Sequence, residues 1–274
     1  MSLPWALIDI GGTKTRIAIS EDGSTFGEPA IFATPQKYDL GVSLIGKTAL
    51  SLSRGAVGRA MAGIAGPLNP DQTGIMSAPN INDWNDKPLK KDLLSVLKCP
   101  VGLVNDTAQV GLGEAVRGAG EAYNIVAYVT LSTGFNGVRI VNKQIDVSYF
   151  GFEIGRQIVC CKDFPRNGSL ESLVSSGGIV RETGKNPVEI NEPDFWQKRT
   201  KFLACGIINT ALYWSPEVII IGGGLAHKYN LSLVESLIAS VKSALPYFPK
   251  LAPASLGDEG GLYGALHLLQ TTAP

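Results

Sequence analysis

A glycine-containing segment near the start of the chain constrains the fold more than any other. Residues 7–19 read LIDIGGTKTRIAI, two apolar runs separated by a short polar turn. We predict two antiparallel strands joined by a tight turn, because this pattern is typical of a hairpin. Gly11 and Gly12 allow the backbone to approach a ligand closely and to present its N–H groups, as in turns that hold phosphate. Taken alone, the segment fits a phosphate-binding turn and a hairpin without a ligand equally well.

The composition indicates a folded protein with no strong preference for charged partners. The chain has 274 residues, enough for one large domain or two of ordinary size. Hydrophobic residues make up 45%, which supports a sizeable core. The 24 basic and 24 acidic residues cancel, and neither sign forms a long run. This balance argues against a general nucleic-acid or membrane-surface binder, whose affinity depends on clustered positive charge.

The cysteines and the first residues indicate a reducing compartment. Four cysteines in a chain of this length do not form the dense set of a disulfide framework. The opening residues, MSLPW, lack the basic region and apolar stretch of a secretory signal. No run approaches the roughly 20 apolar residues that a membrane-spanning helix needs. We therefore expect a soluble, cytoplasmic protein.

Strands and helices alternate along the rest of the chain, which favours an α/β fold. Asn105 and Asp106 follow a short strand and begin a helix, where open α/β sheets place residues that face a ligand. A second polar turn, STGFNG, follows an apolar strand about 120 residues after the first hairpin, so the chain is duplicated at the level of motifs. Further strands are predicted around 30–33 and over 58–66, 101–104, 125–131, 138–141 and 218–221. Helices are predicted over 42–52, from 88, over 168–176, 195–214, 231–245 and 259–269, with a loop over 181–193.

The order of these motifs resembles the superfamily of actin-like ATPases that includes hexokinase, and within it the ROK family of sugar kinases, glucokinases and repressors. The resemblance extends from Ile8 to about Leu268. It implies two lobes of a ribonuclease H-like α/β fold, built from duplicated βββαβα-type domains around a nucleotide. The expected division is 1–106 plus 262–274 for the small lobe and 107–261 for the large one, with the active site in the cleft between them. The matching segments are DIGGTKT at 9–15, IAGP at 64–67, APN at 78–80, VNDT at 104–107, TLSTG at 130–134, EIG at 153–155, GSLE at 168–171 and GGG at 222–224.

The resemblance implies a role for each matching residue. Asp106 is expected to accept the proton of the sugar hydroxyl that is phosphorylated, a task that suits a carboxylate. Acceptor-rich carboxylates and bifunctional amides suit a ring that carries several hydroxyls. The expected sugar-binding residues are Asn80, Asn105, Glu153 and Glu171. The expected ATP-binding residues are Gly11, Gly12, Thr13 and Lys14 in the first turn, Thr133 and Gly134 in the second, and Gly223 and Gly224 beside the adenosine.

Asp9 ends the first strand and is expected to hold the Mg2+ that accompanies ATP, through a water molecule.

Structural interpretations of several of these residues remain open. Asn105 and Asp106 also suit a simple helix cap. Glu171 also suits a first-turn glutamate that offsets the helix dipole. Lys14 also suits a solvated turn.

The chain departs from the family in the segment that often binds a structural zinc. The position after Gly155 holds Arg156 where many family members have histidine, and the cysteines that follow, Cys160 and Cys161, are adjacent. Ser169 stands where a cysteine is common. Because a structural zinc needs four tetrahedral ligands, we predict no zinc site.

The same departure bears on the sugar. Arg156 is expected to contact the substrate and could pair with an anionic group on it. Phe135 and Asn136 replace residues that are commonly glycine in the family, and Phe152 precedes Glu153 where glycine is usual. We expect an ATP- and Mg2+-dependent sugar kinase that forms a homodimer. The alternatives are a kinase for an amino or otherwise modified sugar and a catalytically impaired sugar-binding regulator. A repressor is not expected, because the hairpin leaves no room for a preceding DNA-binding domain.

Overall fold

The computed structural model describes residues 3–78, 80–149, 151–163, 168–241 and 247–272. The chain folds into two units. Unit 1 comprises Met1–Gly118, Val147–Gly151 and Asp258–Pro274, and unit 2 comprises Ala119–Asp146 and Phe152–Gly257. The division predicted from the sequence ends the first segment at residue 106. In the structure that segment continues to Gly118, because the helix that begins at Asp106 packs against the C-terminal helix of unit 1.

Unit 1 is built on a mixed five-stranded sheet. The first hairpin is antiparallel as predicted, with Asp9 paired to Arg16. The strand after the first helix and the strand after the second both run parallel to the first strand of the hairpin. In order across the sheet the strands are β3 (Ala30–Ala33), β2 (Lys14–Ser20), β1 (Trp5–Ile10), β4 (Arg59–Ile64) and β5 (Val101–Asn105).

Both faces of this sheet are covered, which explains the unbroken apolar sequence of β1. Ala6, Ile8 and Ile10 point into a core shared with α1 (Tyr38–Leu52) and α2 (Leu89–Leu97). Leu7 points the other way and packs against α8 (Gly260–Thr271). Because successive strand residues face opposite sides, each side of β1 needs its own apolar set.

Unit 2 repeats the strand order of unit 1. Its central strand pairs antiparallel with the strand that follows it and parallel with a strand that arrives after a long helix. This confirms the duplication inferred from the motifs. The strands in order are β8 (Gln144–Ile145), β7 (Phe135–Val141), β6 (Ile125–Leu131), β9 (Val218–Gly222) and β10 (Lys250–Pro253).

The described helices follow the predicted pattern except around residue 175. The helix predicted over 168–176 ends at Val174, and a second helix begins at Ser176. The segment 181–193, predicted as a loop, begins with the end of a helix, and Gly184 terminates that helix in the left-handed conformation. The end of the helix predicted over 231–245 lies outside the described residues. No described helix is long and apolar enough to span a membrane. The remaining helices are α3 (Asp106–Arg117), α4 (Leu170–Val174), α5 (Ser176–Thr183), α6 (Pro193–Trp214) and α7 (Leu231–Val241).

Candidate active site

The turn of the first hairpin is held by backbone bonds and by one threonine. Gly11 N–H donates to the carbonyl of Lys14 at 3.0 Å and closes the turn. Thr34, which follows β3, donates from its N–H to the Thr13 carbonyl at 3.0 Å and from its hydroxyl to the Gly11 carbonyl at 2.7 Å. The side chains of Thr13 and Lys14 are exposed. The turn is therefore fixed from behind while its tip faces outward.

Gly12 brings the turn against Asn80. A Cβ atom at position 12 would lie 2.9 Å from Asn80 Cβ and 3.2 Å from its Nδ2. Only a glycine permits this approach without displacing the asparagine. The side chain of Asn80 is exposed, so unit 1 places an accessible amide beside the turn, and its contact with a sugar stays a prediction. Pro79, which precedes Asn80 in the family motif, lies outside the described residues.

Asp9 has a cationic partner that the sequence did not reveal. Arg16 lies across the hairpin, and its Nη1 is 3.5 Å from Asp9 Oδ2. Its Nη2 donates to Asp258 Oδ1 at 2.5 Å, so one guanidinium bridges two carboxylates. A Cβ at Gly261 would lie 2.9 Å from Asp9 Cγ, which shows how closely α8 covers this carboxyl. Strand pairing puts residues 9 and 16 opposite each other, so the hairpin register contained the signal for this contact.

The carboxyl of Asp9 is difficult to ionise. Burial raises its pKa to about 7, the negative charge of Asp106 adds to the rise, and Arg16 opposes it. A buried carboxyl whose pKa is raised by a neighbouring negative charge is one that a cation would stabilise in its ionised form. No group of three or more His, Cys, Asp or Glu side chains among the described residues is arranged to ligate a metal. This donor set fits a Mg2+ held by few protein oxygens together with water and phosphate, the usual manner for this ion.

Asn105 and Asp106 join the end of β5 to the start of α3. Asn105 is the N-cap, and its Oδ1 accepts the N–H of Ala108 at 3.1 Å. Its Nδ2 donates to the carbonyl of Gly66 at 3.0 Å. Asn105 therefore performs the capping role and also fixes the loop after β4. A ligand that contacts Asn105 would have to bond to its second amide N–H or to the second lone pair of its amide oxygen.

Asp106 is held from one side. Its Oδ1 accepts the N–H of Thr107 at 2.7 Å and lies 3.4 Å from the hydroxyl of that residue. Within the described residues these hydrogen bonds end on Oδ1, which leaves Oδ2 as the oxygen that can accept a further proton. Burial raises the pKa of Asp106, while the two bonds from Thr107 and the backbone N–H of Asp106 itself lower it.

The second hairpin turn, in unit 2, is braced differently from the first. Gly177 N–H at the start of α5 donates to the carbonyl of Thr133 at 2.9 Å. Glu171 on α4 accepts the N–H of Phe135 through Oε2 at 3.1 Å. A Cβ at Gly134 would lie 2.9 Å from that same oxygen. One carboxylate oxygen of Glu171 is thus engaged in holding the turn, a role that neither sequence interpretation of this residue included.

Glu153 and Arg156 lie together at a short 3-10 turn over Ile154–Arg156. Arg156 Nε is 3.8 Å from Glu153 Oε2, and its side chain is 75% exposed. Asn136 Nδ2 donates to Glu153 Oε1 at 3.4 Å. Burial raises the pKa of Glu153, Arg156 lowers it, and the charge of Glu171 raises it further. Asn136, on β7, was noted in the sequence only as a departure from glycine.

A cavity of about 300 Å³ adjoins this pair in unit 2. It is lined by Glu153, Arg156, Gln157, Tyr213 and Trp214, together with two further residues. A larger cavity of about 620 Å³ lies between α1 and α2 in unit 1 and contains none of the predicted site residues. The smaller cavity is the more relevant one, because it holds two predicted sugar-binding side chains.

Gly223 and Gly224 follow β9. Gly223 has a φ of +92°, and a Cβ there would lie 2.2 Å from the carbonyl oxygen of Leu131. The N–H of Leu225 donates to that carbonyl at 2.9 Å. Both glycines are exposed, and a Cβ at Gly224 would have no neighbour within 4 Å. The turn thus offers an open backbone surface.

The cysteine segment is described only in part. Cys161 is exposed and Cys160 is half-buried. Residues 164–167 lie outside the described residues, and with them part of the segment on which the prediction of no zinc site was based. That prediction stays a prediction.

Comparison with known proteins relates nearly the whole chain to one family. A sequence model of the ROK family matches residues 6–272. A glucokinase from Streptomyces coelicolor is 25% identical, with 97% of this chain and 98% of that protein covered. An N-acetyl-D-glucosamine kinase from Escherichia coli O127:H6 is 26% identical, with 95% and 98% covered. Among solved structures, a ROK hexokinase from Thermus thermophilus has a TM-score of 0.81 at 22% identity, with 96% of each chain covered.

Proposed function

Because the chain belongs to the ROK family, we propose that it is a kinase that transfers the γ-phosphoryl group of ATP to a hydroxyl of a sugar. Membership was expected from the motifs and is confirmed. Relatives named glucokinase and N-acetyl-D-glucosamine kinase support the activity. A ROK family glucokinase from Streptomyces griseus, with a TM-score of 0.76 at 23% identity and 97% and 98% of the two chains covered, was solved with glucose and AMPPNP. That complex supports ATP as the donor.

The observation that carries the proposal is the carboxylate of Asp106. It lies at the first residue of α3, with Oδ1 bonded to Thr107 and Oδ2 available. Burial raises its pKa, which makes it a stronger base than an exposed aspartate. Phosphoryl transfer requires an oriented hydroxyl and a group to take its proton. A carboxylate fixed at one oxygen and open at the other suits that task.

The proposed reaction is a single displacement. The sugar oxygen forms a bond to the γ-phosphorus as the bond between that phosphorus and the bridging oxygen breaks. ADP leaves with the electron pair, and the hydroxyl proton passes to Asp106 Oδ2. In this scheme Asp106 is the base, and the products are a sugar phosphate and ADP.

We propose that both glycine turns serve the nucleotide. In unit 1, the turn tip of Gly11, Gly12, Thr13 and Lys14 faces outward, and Lys14 supplies a positive charge for phosphate. In unit 2, Thr133, Gly134, Gly223 and Gly224 offer open backbone. Mg2+, when bound with ATP, would neutralise phosphate charge, and Asp9 would hold it through water, as its raised pKa and its neighbour Asp106 suit a cation.

For the sugar, we propose Asn80 and Asn105 in unit 1 and Glu153 and Glu171 in unit 2. Asn80 is exposed, whereas Asn105 caps α3 and Glu171 holds the second turn through Oε2. Glu153 contacts Asn136 through Oε1 and Arg156 through Oε2, and each oxygen keeps further accepting capacity. Arg156 is proposed as a contact at the edge of the sugar site. Its Nε faces Glu153, so its charge is already partly balanced.

Two alternatives accompany this proposal, one for the substrate and one for the activity. The N-acetyl-D-glucosamine kinase relative favours an amino sugar as the alternative to glucose. An impaired sugar-binding regulator is the second alternative, and a ROK transcriptional regulator is among the similar structures. Retention of Asp9 and Asp106 favours a working catalyst. We also propose a homodimer, which size-exclusion chromatography with light scattering would test.

An ADP-release assay over hexoses and N-acetylhexosamines tests the activity. Wild-type protein should phosphorylate at least one sugar of the panel. Asp106→Asn should lower kcat by about 10²- to 10⁴-fold, the usual contribution of a general base, while calorimetry shows sugar binding within about threefold of wild type. Asp71→Asn, an exposed loop aspartate, is the matched control. Full activity of Asp106→Asn would show that this carboxylate is not the base.

A further inference from the structure

Asn136 on β7 has an incompletely bonded side chain beside the proposed sugar-binding residue Glu153. Its Nδ2 donates to Glu153 Oε1 at 3.4 Å. Its Oδ1 is buried and has no hydrogen-bond partner among the described residues. Buried amide oxygens are usually paired, and one left unpaired is costly. An unpaired acceptor beside a substrate-facing carboxylate calls for an explanation in terms of function.

The orientation of this amide follows from its neighbour. If the amide were turned over, Oδ1 would face the carboxylate of Glu153 and repel it. Holding Glu153 therefore requires Nδ2 on that side, and Oδ1 must point elsewhere. The two residues together present two acceptors, the amide oxygen and the remaining capacity of the carboxylate. Neighbouring acceptors suit neighbouring donors, such as the hydroxyls of a sugar ring.

We propose that Asn136 is a specificity-determining residue of the sugar site. Its Nδ2 positions Glu153, and its Oδ1 accepts a hydrogen bond from a hydroxyl or N–H group of the substrate. This inference rests on the proposed function and deepens it. The expected substrate is a neutral sugar with a hydrogen-bond donor at this position, either a hydroxyl or an acetamido N–H.

The same arrangement disfavours an acidic substituent at this point. A carboxylate or phosphate group of the substrate would face the oxygens of Asn136 and Glu153, and Arg156 is already paired with Glu153. The Arg156 side chain is mostly exposed, whereas Asn136 and Glu153 are half-buried, so the charge of Arg156 lies toward solvent from this pair. The anionic substrate suggested by Arg156 alone is therefore less well supported than a neutral one.

Two substitutions separate this role from simple packing. Asn136→Asp keeps the size and shape of the side chain, so a space-filling residue would tolerate it. The same change removes the donor to Glu153 and places a second carboxylate against it, so a positioning residue would not. Asn136→Ala removes both the donor and the acceptor. Asn191→Ala, at an exposed position of unit 2, is the matched control.

The experiment measures kcat and KM of each variant with ATP and glucose, mannose, N-acetylglucosamine and glucuronate, and with monodeoxy analogues of the best substrate. For that substrate, Asn136→Ala and Asn136→Asp should each lower kcat/KM by about tenfold or more, mainly through KM, and Asn191→Ala should not. For one deoxy analogue, the ratio of the wild-type kcat/KM to that of Asn136→Ala should be clearly smaller than for the other analogues, because the bond to Oδ1 is then missing in both proteins and only the loss of Glu153 positioning remains. Glucuronate should be a poorer substrate than glucose.

Several outcomes would overturn the inference without touching the proposed function. One is wild-type kcat/KM in Asn136→Asp, and another is an equal loss across every deoxy analogue. If wild type phosphorylates none of the sugars, the proposed function fails instead. Calorimetry of glucose and N-acetylglucosamine binding then decides the inference alone. Binding weakened about fivefold or more in Asn136→Ala supports it, and equal or absent binding overturns it.

Discussion

Arg16 connects Asp9 to Asp258, so a single guanidinium joins the second residue from the end of β1 to the segment that leads into α8. The two contacts are unequal, at 3.5 Å to Asp9 and 2.5 Å to Asp258. Arg16 is only 13% exposed, and its Nε has no partner among the described residues. The bridge therefore binds the hairpin to a part of unit 1 that lies more than 240 residues later.

We expect Arg16→Gln to destabilise the protein, because it leaves Asp9 buried without its cation. The loss should be about 2–4 kcal/mol, near the range for breaking a buried ion pair. Urea unfolding at pH 7 measures it. Arg117→Gln, at an exposed position on α3, should stay within about 0.5 kcal/mol of wild type. Equal stability of the two variants would show that the bridge contributes nothing.

The raised pKa of Asp9 predicts a pH-dependent stability. The pKa is 3.8 in the unfolded chain and about 7 in the folded one, so between these values the folded state binds more protons. The stability due to this group is complete below pH 4 and is lost as the pH rises through 7. Asp9→Asn should remove that loss, so its advantage over wild type should grow by on the order of 2 kcal/mol from pH 5 to pH 8. Urea unfolding without Mg2+ at both pH values checks this, and a constant difference would contradict it.

Close packing of α3 on α8 predicts a severe effect at Gly113. A Cβ there would lie 1.9 Å from the carbonyl oxygen of Gly260, a backbone atom that cannot turn aside. Gly113→Ala should cost about 3 kcal/mol, at the upper end for overpacked cores. At Gly27 a Cβ would meet nothing within 4 Å, so Gly27→Ala should unfold like wild type or slightly later. Thermal unfolding of both variants provides the measurement. Similar melting temperatures would mean that the helices can separate at little cost.

The cysteines should differ sharply in reactivity. Cys99 is buried, and burial raises its pKa to about 11, so it has little thiolate at pH 8. Cys161 and Cys205 are exposed. Iodoacetamide at pH 8 followed by mass spectrometry should label these two at least about tenfold faster than Cys99, and urea should abolish the difference. Rapid labelling of Cys99 in the folded protein would contradict its burial.

The sequence predicted the elements whose signals are local. The hairpin of β1 and β2, the second hairpin of β6 and β7 and the cap at Asn105 all follow from short apolar runs and turn residues. The edge strand β8 was missed because two residues are too few to show a period. The edge strand β10 was missed because its four residues, KLAP, include a proline, which is unfavourable in most strands. The helix α5 was not predicted, because it starts with two glycines after Ser176 and ends in polar residues that resemble a loop.

At the site, the sequence indicated which residues to consider but not what each was bonded to. In the sequence, Arg16 and Asn136 occupy ordinary strand positions. The contact of Arg16 with Asp9 depends on the pairing of β1 with β2, and the contact of Asn136 with Glu153 depends on the turn at Glu153 packing against β7. Glu171 shows the same limit, since its bond to Phe135 joins residues 36 positions apart. Contacts of this kind depend on tertiary packing, which no local pattern encodes.

The placement of α8 has a consequence for synthesis. Leu262, Ala265, Leu266 and Leu269 cover one face of the unit 1 sheet, yet they come more than 140 residues after the rest of that sheet is complete at Asn105. Every residue of unit 2 is made before them. During translation, the Leu7 side of the unit 1 sheet therefore stays without its covering helix α8 until all of unit 2 has been synthesised. Of the two units, unit 1 is the first to begin synthesis and the second to be completed.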